Sequence, residues 1–171
     1  MTEHDGLALV EEACRRSALV WLTVGGGRAH PAWHVWREGA AYVVSGGAEQ
    51  PLPDLAAVDP GPVLVTVRSK DKGGRLVSWV ARATPVPPDS EDWAAAAAAL
   101  HSARLNARDG EAQPRRWAQE SRITRLEPTG EVVESPGALP DDSHAAPPPP
   151  TAATTRGPLP FVLGRRRARR R

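Results

Sequence analysis

All six tryptophans of this chain lie at or before position 117, and eight of its 18 prolines lie after position 135. That division constrains folding more than any other feature. Large apolar side chains build a core, and a proline-rich stretch with few of them cannot bury enough to offset its ordering entropy. The sequence therefore divides into a folded domain, residues 1–135, and a disordered tail, residues 136–171. The tail is Pro-rich, with Pro147 to Pro150 in a row, and ends in GRRRARRR. A domain of roughly 120 to 135 residues can bury about two thirds of its unfolded surface and needs no covalent staples. The single cysteine, Cys14, excludes an intramolecular disulfide and any cysteine-based metal site.

Charge follows the same division. Seven of the 22 basic residues and two of the 20 acids lie beyond Ser135, so the tail carries +5. The remainder, with 15 bases and 18 acids, carries −3. The basic character of the whole chain belongs to the tail and says nothing about the domain surface. No apolar run reaches the roughly 18 residues of a membrane span, and the first six residues are polar and acidic. The expectation is a cytoplasmic protein.

Within the domain, apolar spacing over Leu7 to Arg16 predicts an amphipathic helix with Asp5 as its N-cap. Ala18–Val24 (ALVWLTV), Arg28–Arg37 (RAHPAWHVWR) and Ala40–Ser45 (AAYVVS) read as three strands joined by Gly25-Gly26-Gly27 and Glu38-Gly39, an antiparallel meander. Pro31 lacks a ladder donor and belongs at an edge or bulge. In the second strand Trp33 and Val35 point one way, His34 and Trp36 the other. A loose segment follows, with a helical turn over Leu52–Val58. Val63–Arg68 and Arg75–Val86 are strands around the polar turn Ser69–Gly74. Acids at Asp89 to Asp92 open a helix that runs from Trp93 to about Asn106, with Asp109-Gly110 ending it. Ser121–Leu126 alternates as a closing strand, which Glu131–Glu134 extends or pairs with. The class is α+β, with an antiparallel barrel or sandwich of about six strands and two or three helices.

This order of elements, with R-x-H-P-A-W over Arg28–Trp33, resembles the pyridoxamine 5'-phosphate oxidase-like split-barrel family, which binds FMN or deazaflavin relatives. The likeness spans roughly residues 7 to 134. It implies a split β-barrel, a homodimer with two flavin-type cofactors at its interface, and an oxidoreductase on an unidentified small molecule. It places Arg28, His30, Pro31, Trp33 and His34 beside the ring and tail of the cofactor. Ser45, Gly46, Gly47 and Gln50 would face its phosphate, where glycine N–H groups and a serine hydroxyl suit an anion. Family members often carry Lys or Arg in that segment; this chain has Glu49 and Gln50. The charge would come instead from Arg28, or from Arg68, Lys70, Lys72 and Arg75 around the next hairpin. The alternatives are a non-catalytic binding module that has lost its phosphate anchor, or an interaction protein that acts through its basic tail.

The hairpin RSKDKGGR holds both lysines of the chain. It is open to two readings: an anion clamp, or a charged turn that keeps an edge soluble. Trp33 and Trp36 either stack on a ring or fill the core. His30 and His34 would stand roughly 13 Å apart along one strand, too far for one metal ion. No metal site is expected. The terminal arginines, Arg165–Arg171, fit weak nucleic-acid contact, attraction to an anionic membrane surface, or a merely solvating extension.

Overall fold

The computed structural model describes residues 3–58, 60–105, 107 and 109–141. The elements in chain order are α1 (Glu3–Arg16), β1 (Leu19–Val24), β2 (His30–Trp33), β3 (Val35–Arg37), β4 (Ala40–Ser45), a 3-10 turn (Pro53–Ala57), β5 (Gly61–Arg68), β6 (Arg75–Val86), α2 (Glu91–Ala103), a second 3-10 turn (Gly110–Ala112), α3 (Gln113–Glu120) and β7 (Arg122–Glu134). The seven strands form one antiparallel sheet in the order β2-β1-β5-β6-β7-β4-β3.

The two edge strands of that sheet, β2 and β3, are separated in sequence by one residue, His34. They are halves of one bent strand, so the sheet curls until its edges meet there. Counted this way the sheet has six strands, as expected, and both of its edge strands are short. The three runs pair antiparallel in succession as expected, but through the two halves of the bent one: β2 pairs with β1 and β3 with β4. The strand bends at His34, where Trp33 carries its backbone bonds to the side chain of Gln50. Pro31 lies on β2, at the sheet edge.

The pleat sorts the core into two clusters. One lies inside the barrel, built from Val20, Leu22, Val43, Val65, Trp79 and Leu126 among others, and plugged by Val10, Ala13 and Cys14 of α1. The other lies outside β4 and β7, where Tyr42, Val44 and Ile123 pack on Ala96, Ala97 and Leu100 of α2 and Trp117 of α3. All six residues of β4 are buried, which explains its unbroken apolar run. The expected alternation holds across the break. Trp33 and Val35 pack on the second cluster and Trp36 on the first. Burying a side chain the size of Trp79 is worth about 3 kcal/mol or more.

Three boundaries differ from the sequence reading. The first helix starts at Glu3, so Asp5 lies inside it rather than capping it. The second ends at Ala103, because Arg104 leaves the helix in an extended conformation to reach a buried acid described below. A third helix over Gln113–Glu120 precedes β7, which runs unbroken to Glu134. No described helix is long and apolar enough to cross a membrane. Residues 142–171, including Arg165–Arg171, lie outside the described residues.

Candidate functional site

The segment after β4 is a tight turn. Gly46 and Gly47 both have positive φ, +82° and +59°. At Gly47 a Cβ would stand 3.0 Å from the Glu120 carbonyl oxygen, so only glycine allows this turn to lie against the end of α3. The Gly46 N–H donates to the Gln50 carbonyl at 3.3 Å and the Glu49 N–H to the Gly46 carbonyl at 3.0 Å. Those two donors are therefore used inside the turn and are not offered to an anion.

Glu49 and Gln50 explain the missing cation. The Glu49 side chain is 1% exposed and points inward. Its Oε1 accepts from Trp117 Nε1 at 3.0 Å, Gln113 Nε2 at 3.1 Å and Arg116 Nη2 at 3.4 Å. Its Oε2 pairs with Arg104 Nη2 at 3.1 Å. Arg104 in turn covers the Trp33 ring at 5.2 Å, and Trp33 packs against Trp117. The Arg116 guanidinium is held above its ordinary range, first by its hydrogen bond to Asp109 and further by Glu49. Gln50 bridges the N–H and carbonyl of Trp33 and the carbonyl of Val44, at 2.8, 3.1 and 3.0 Å. Both residues fasten the turn to the fold; Gln50 does not face a ligand phosphate.

The other expected cations do not converge. Arg75 Nε lies 3.4 Å from Glu134 Oε2, and its Nη2 donates to the Pro140 carbonyl at 2.9 Å. Arg68 lies over the Trp21 ring at 5.2 Å. Lys70 and Lys72 stand exposed in the turn, and Arg28 is exposed in the loop before β2. The hairpin is thus no clamp: one end cation is buried with its own carboxylate and the other lies on an indole.

His30 Nε2 stands 3.5 Å from Asp54 at the surface. Pro31 is exposed beside it. His34 is buried, and its Nε2 meets the Cys14 carbonyl at 3.1 Å. A carbonyl only accepts, so Nε2 carries the proton, and Nδ1 has no partner among the described residues. Burial lowers the pKa of His34, opposed by that bond. Burial also pushes the Cys14 thiol up to about 12, which keeps it protonated and unreactive.

What the structure does assemble is a cleft of about 550 Å³ at the end of β4. One wall carries Ser45, Gly46, Pro51, Leu52, Pro53 and Ala56; the other carries Gln119, Glu120, Ser121 and Arg122. Arg122 pairs with Ser45 in the β4–β7 register, and its Nη1 donates to the Ala56 carbonyl at 3.3 Å. Ser121 Oγ donates to the Gly46 carbonyl at 3.2 Å. Of the expected site residues only Ser45 and Gly46 line it. The 119–122 wall was missed, although the alternation of Ser121–Leu126 already required a strand that began there. A smaller cleft of about 290 Å³, lined by Pro60, Gly61, Pro62, Ala81, Arg82 and Thr129, lies elsewhere on the barrel.

No protein-family model matches the sequence, and no curated protein matches it either. Solved structures do. The heme storage protein HutZ from Vibrio cholerae is 19% identical at a TM-score of 0.50, over 72% of this chain and 89% of that one. The flavocytochrome Anf3 from Azotobacter vinelandii is 16% identical at 0.45, over 90% and 86%. An FAD-binding protein from Mesorhizobium loti is 12% identical at 0.45, over 77% and 90%. At these identities the likeness concerns the fold, and the chain has the split-barrel fold of the pyridoxamine 5'-phosphate oxidase-like proteins.

Proposed function

We propose that this chain is a cofactor-binding split-barrel protein that receives the tail of a flavin-type cofactor at the cleft beside Ser45 and Arg122. It acts as a homodimer and as an oxidoreductase on a small molecule. The observation that carries the reading is the cleft itself, which opens at the end of β4 where the family resemblance expects the phosphate end of the cofactor. A bound flavin or deazaflavin would supply electron or hydride transfer. The chain would supply an apolar wall from Pro51, Leu52 and Pro53, and polar groups from Ser45, Gln119 and Arg122. Catalytic residues of the chain's own are not needed for such chemistry.

The dimer reading draws on the outer face of β1, β5 and β6. Leu19 and Leu76 are exposed there, and Trp21, Leu64 and Val80 are half-buried. Such a face suits a second copy of the same surface.

A near-ultraviolet and visible spectrum of the purified protein, followed by titration with FMN, a deazaflavin and heme, tests the reading. Heme is included because a heme storage protein shares the fold. Copurification or micromolar binding of a flavin-type cofactor is the expected result; no binding of any of them would sink it. Sedimentation gives the oligomeric state, and a monomer at micromolar concentration would remove the dimer.

The second reading is a binding module without redox turnover. It is favoured by the inward Glu49, which leaves the 45–50 turn without a cation. Binding of a cofactor that a chemical reductant cannot then turn over with any acceptor would select it. For the terminal arginines, DNA binding is compared at two salt concentrations between the full chain and one ending at Asp141. Equal, negligible binding by both would dispose of nucleic-acid contact.

A further inference from the structure

From the charges on the cleft walls, and resting on the cofactor reading above, we infer that the ligand carries an uncharged polyol chain there rather than a terminal phosphate monoester. Such a monoester bears about −1.5 to −2 charges at neutral pH. It needs more than one cation, or a set of backbone N–H donors, to leave water. The cleft lining holds one guanidinium, Arg122, and one carboxylate, Glu120, so its formal charge is zero.

Several of the donors that would compensate are already engaged. The Gly46 and Glu49 N–H groups close the turn on itself, and the Ser121 hydroxyl donates to the Gly46 carbonyl. Arg104 and Arg116, close in the fold, are paired with Glu49. Glu120 adds repulsion: its side chain is half exposed, with Arg116 Nη1 no closer than 3.9 Å.

The same lining suits hydroxyl groups. A carboxylate accepts from two O–H donors, and guanidinium and amide N–H groups donate to hydroxyl oxygens. Glu120 and Arg122 both line the cleft and offer those complementary groups, together with Gln119 and with Ser45, the strand neighbour of Arg122. The ligand class is therefore an isoalloxazine-type ring bearing a neutral hydroxylated chain, for which riboflavin is the probe.

Fluorescence titrations with riboflavin and with FMN test this on the full chain and on Glu120→Gln, a surface change that spares the core. Riboflavin is expected to bind the native chain at least as tightly as FMN, and inorganic phosphate to leave its binding unchanged. Glu120→Gln is expected to strengthen FMN binding roughly threefold to tenfold, the effect of removing one unit charge at close range in a water-exposed site, and to weaken riboflavin. FMN binding tenfold tighter than riboflavin to the native chain, or displacement of riboflavin by phosphate, would overturn the inference and leave the cofactor reading standing. Binding of neither probe overturns both.

Discussion

Glu49 and Glu134 are both buried carboxylates held by arginine, one at the corner where α2 and α3 meet the turn after β4, the other on the outer face of the barrel. Glu49 gathers two guanidiniums, an indole N–H and an amide N–H, with its side chain 1% exposed. Glu134 receives the Ser78 hydroxyl at 2.6 Å and faces Arg75 at 3.4 Å, at 9% exposure. Ser78 spends its proton on Glu134, so Thr66 must donate to Ser78 across their 2.9 Å contact. The first carboxylate ties three separate elements together; the second ties neighbouring strands that the sheet already joins. A buried acid matters most where no backbone ladder does the same work.

The largest effect expected is at Glu49. Glu49→Ala leaves two guanidiniums and two N–H donors facing a void, and should cost about 3–5 kcal/mol. The midpoint of urea unfolding measures it. A loss below about 1 kcal/mol would mean that water satisfies those donors as well as the carboxylate does.

Glu134→Ala should cost less, about 1–3 kcal/mol, because Ser78 can turn its hydroxyl to Thr66 and β6 still pairs with β7. The same unfolding experiment compares the two variants. A larger loss at Glu134 than at Glu49 would reverse the argument that bridging separate elements is what makes the buried acid costly.

These two sites also mark how far the sequence could be read. The strands were legible from alternation and glycine punctuation, and β4 and β6 fall at their expected limits. The bend at His34 was not, because the break in pairing leaves no mark on the run RAHPAWHVWR. Charges were the least legible. Arg75 read as a ligand cation and Glu49 as an obstacle to a phosphate, yet each is neutralised by residues more than 50 positions away in the chain. Pairing at that separation is fixed by topology, which charge spacing along the sequence does not encode. Ser45 and Gly46 were found because a glycine turn after a strand is a local feature; Arg122 reaches them only through strand register.

His34 supplies a smaller, pH-dependent contrast: a buried imidazole whose charged form is disfavoured by burial. Its folded pKa lies below the ordinary value of about 6.5. In the window below about 6.5 the unfolded chain binds a proton that the folded chain refuses, so its stabilising contribution is complete above that pH and is lost as pH falls. The slope from one such proton is at most about 1.4 kcal/mol per pH unit. His34→Gln keeps a donor for the Cys14 carbonyl but does not titrate. The native chain should therefore lose stability more steeply than this variant between neutral pH and the lowered pKa. Parallel pH profiles would show that His34 charges without penalty, through a water at Nδ1.

The smallest effect concerns where the outer-face network ends. Beyond Ser135 the chain makes a turn, with the Ala138 N–H donating to the Ser135 carbonyl at 2.9 Å, and then returns the Pro140 carbonyl to Arg75. The composition boundary at 135 thus falls before the last tertiary contact among the described residues. That contact involves one exposed hydrogen bond from a charged donor, worth about 1 kcal/mol. It nonetheless covers the guanidinium that neutralises Glu134. A chain ending at Ser135 should be less stable than one ending at Asp141 by about that amount, and the difference should vanish when Glu134→Ala is present in both. If the difference persists in the double comparison, residues 136–141 act on the barrel by covering apolar surface, and the Glu134 network stands without them.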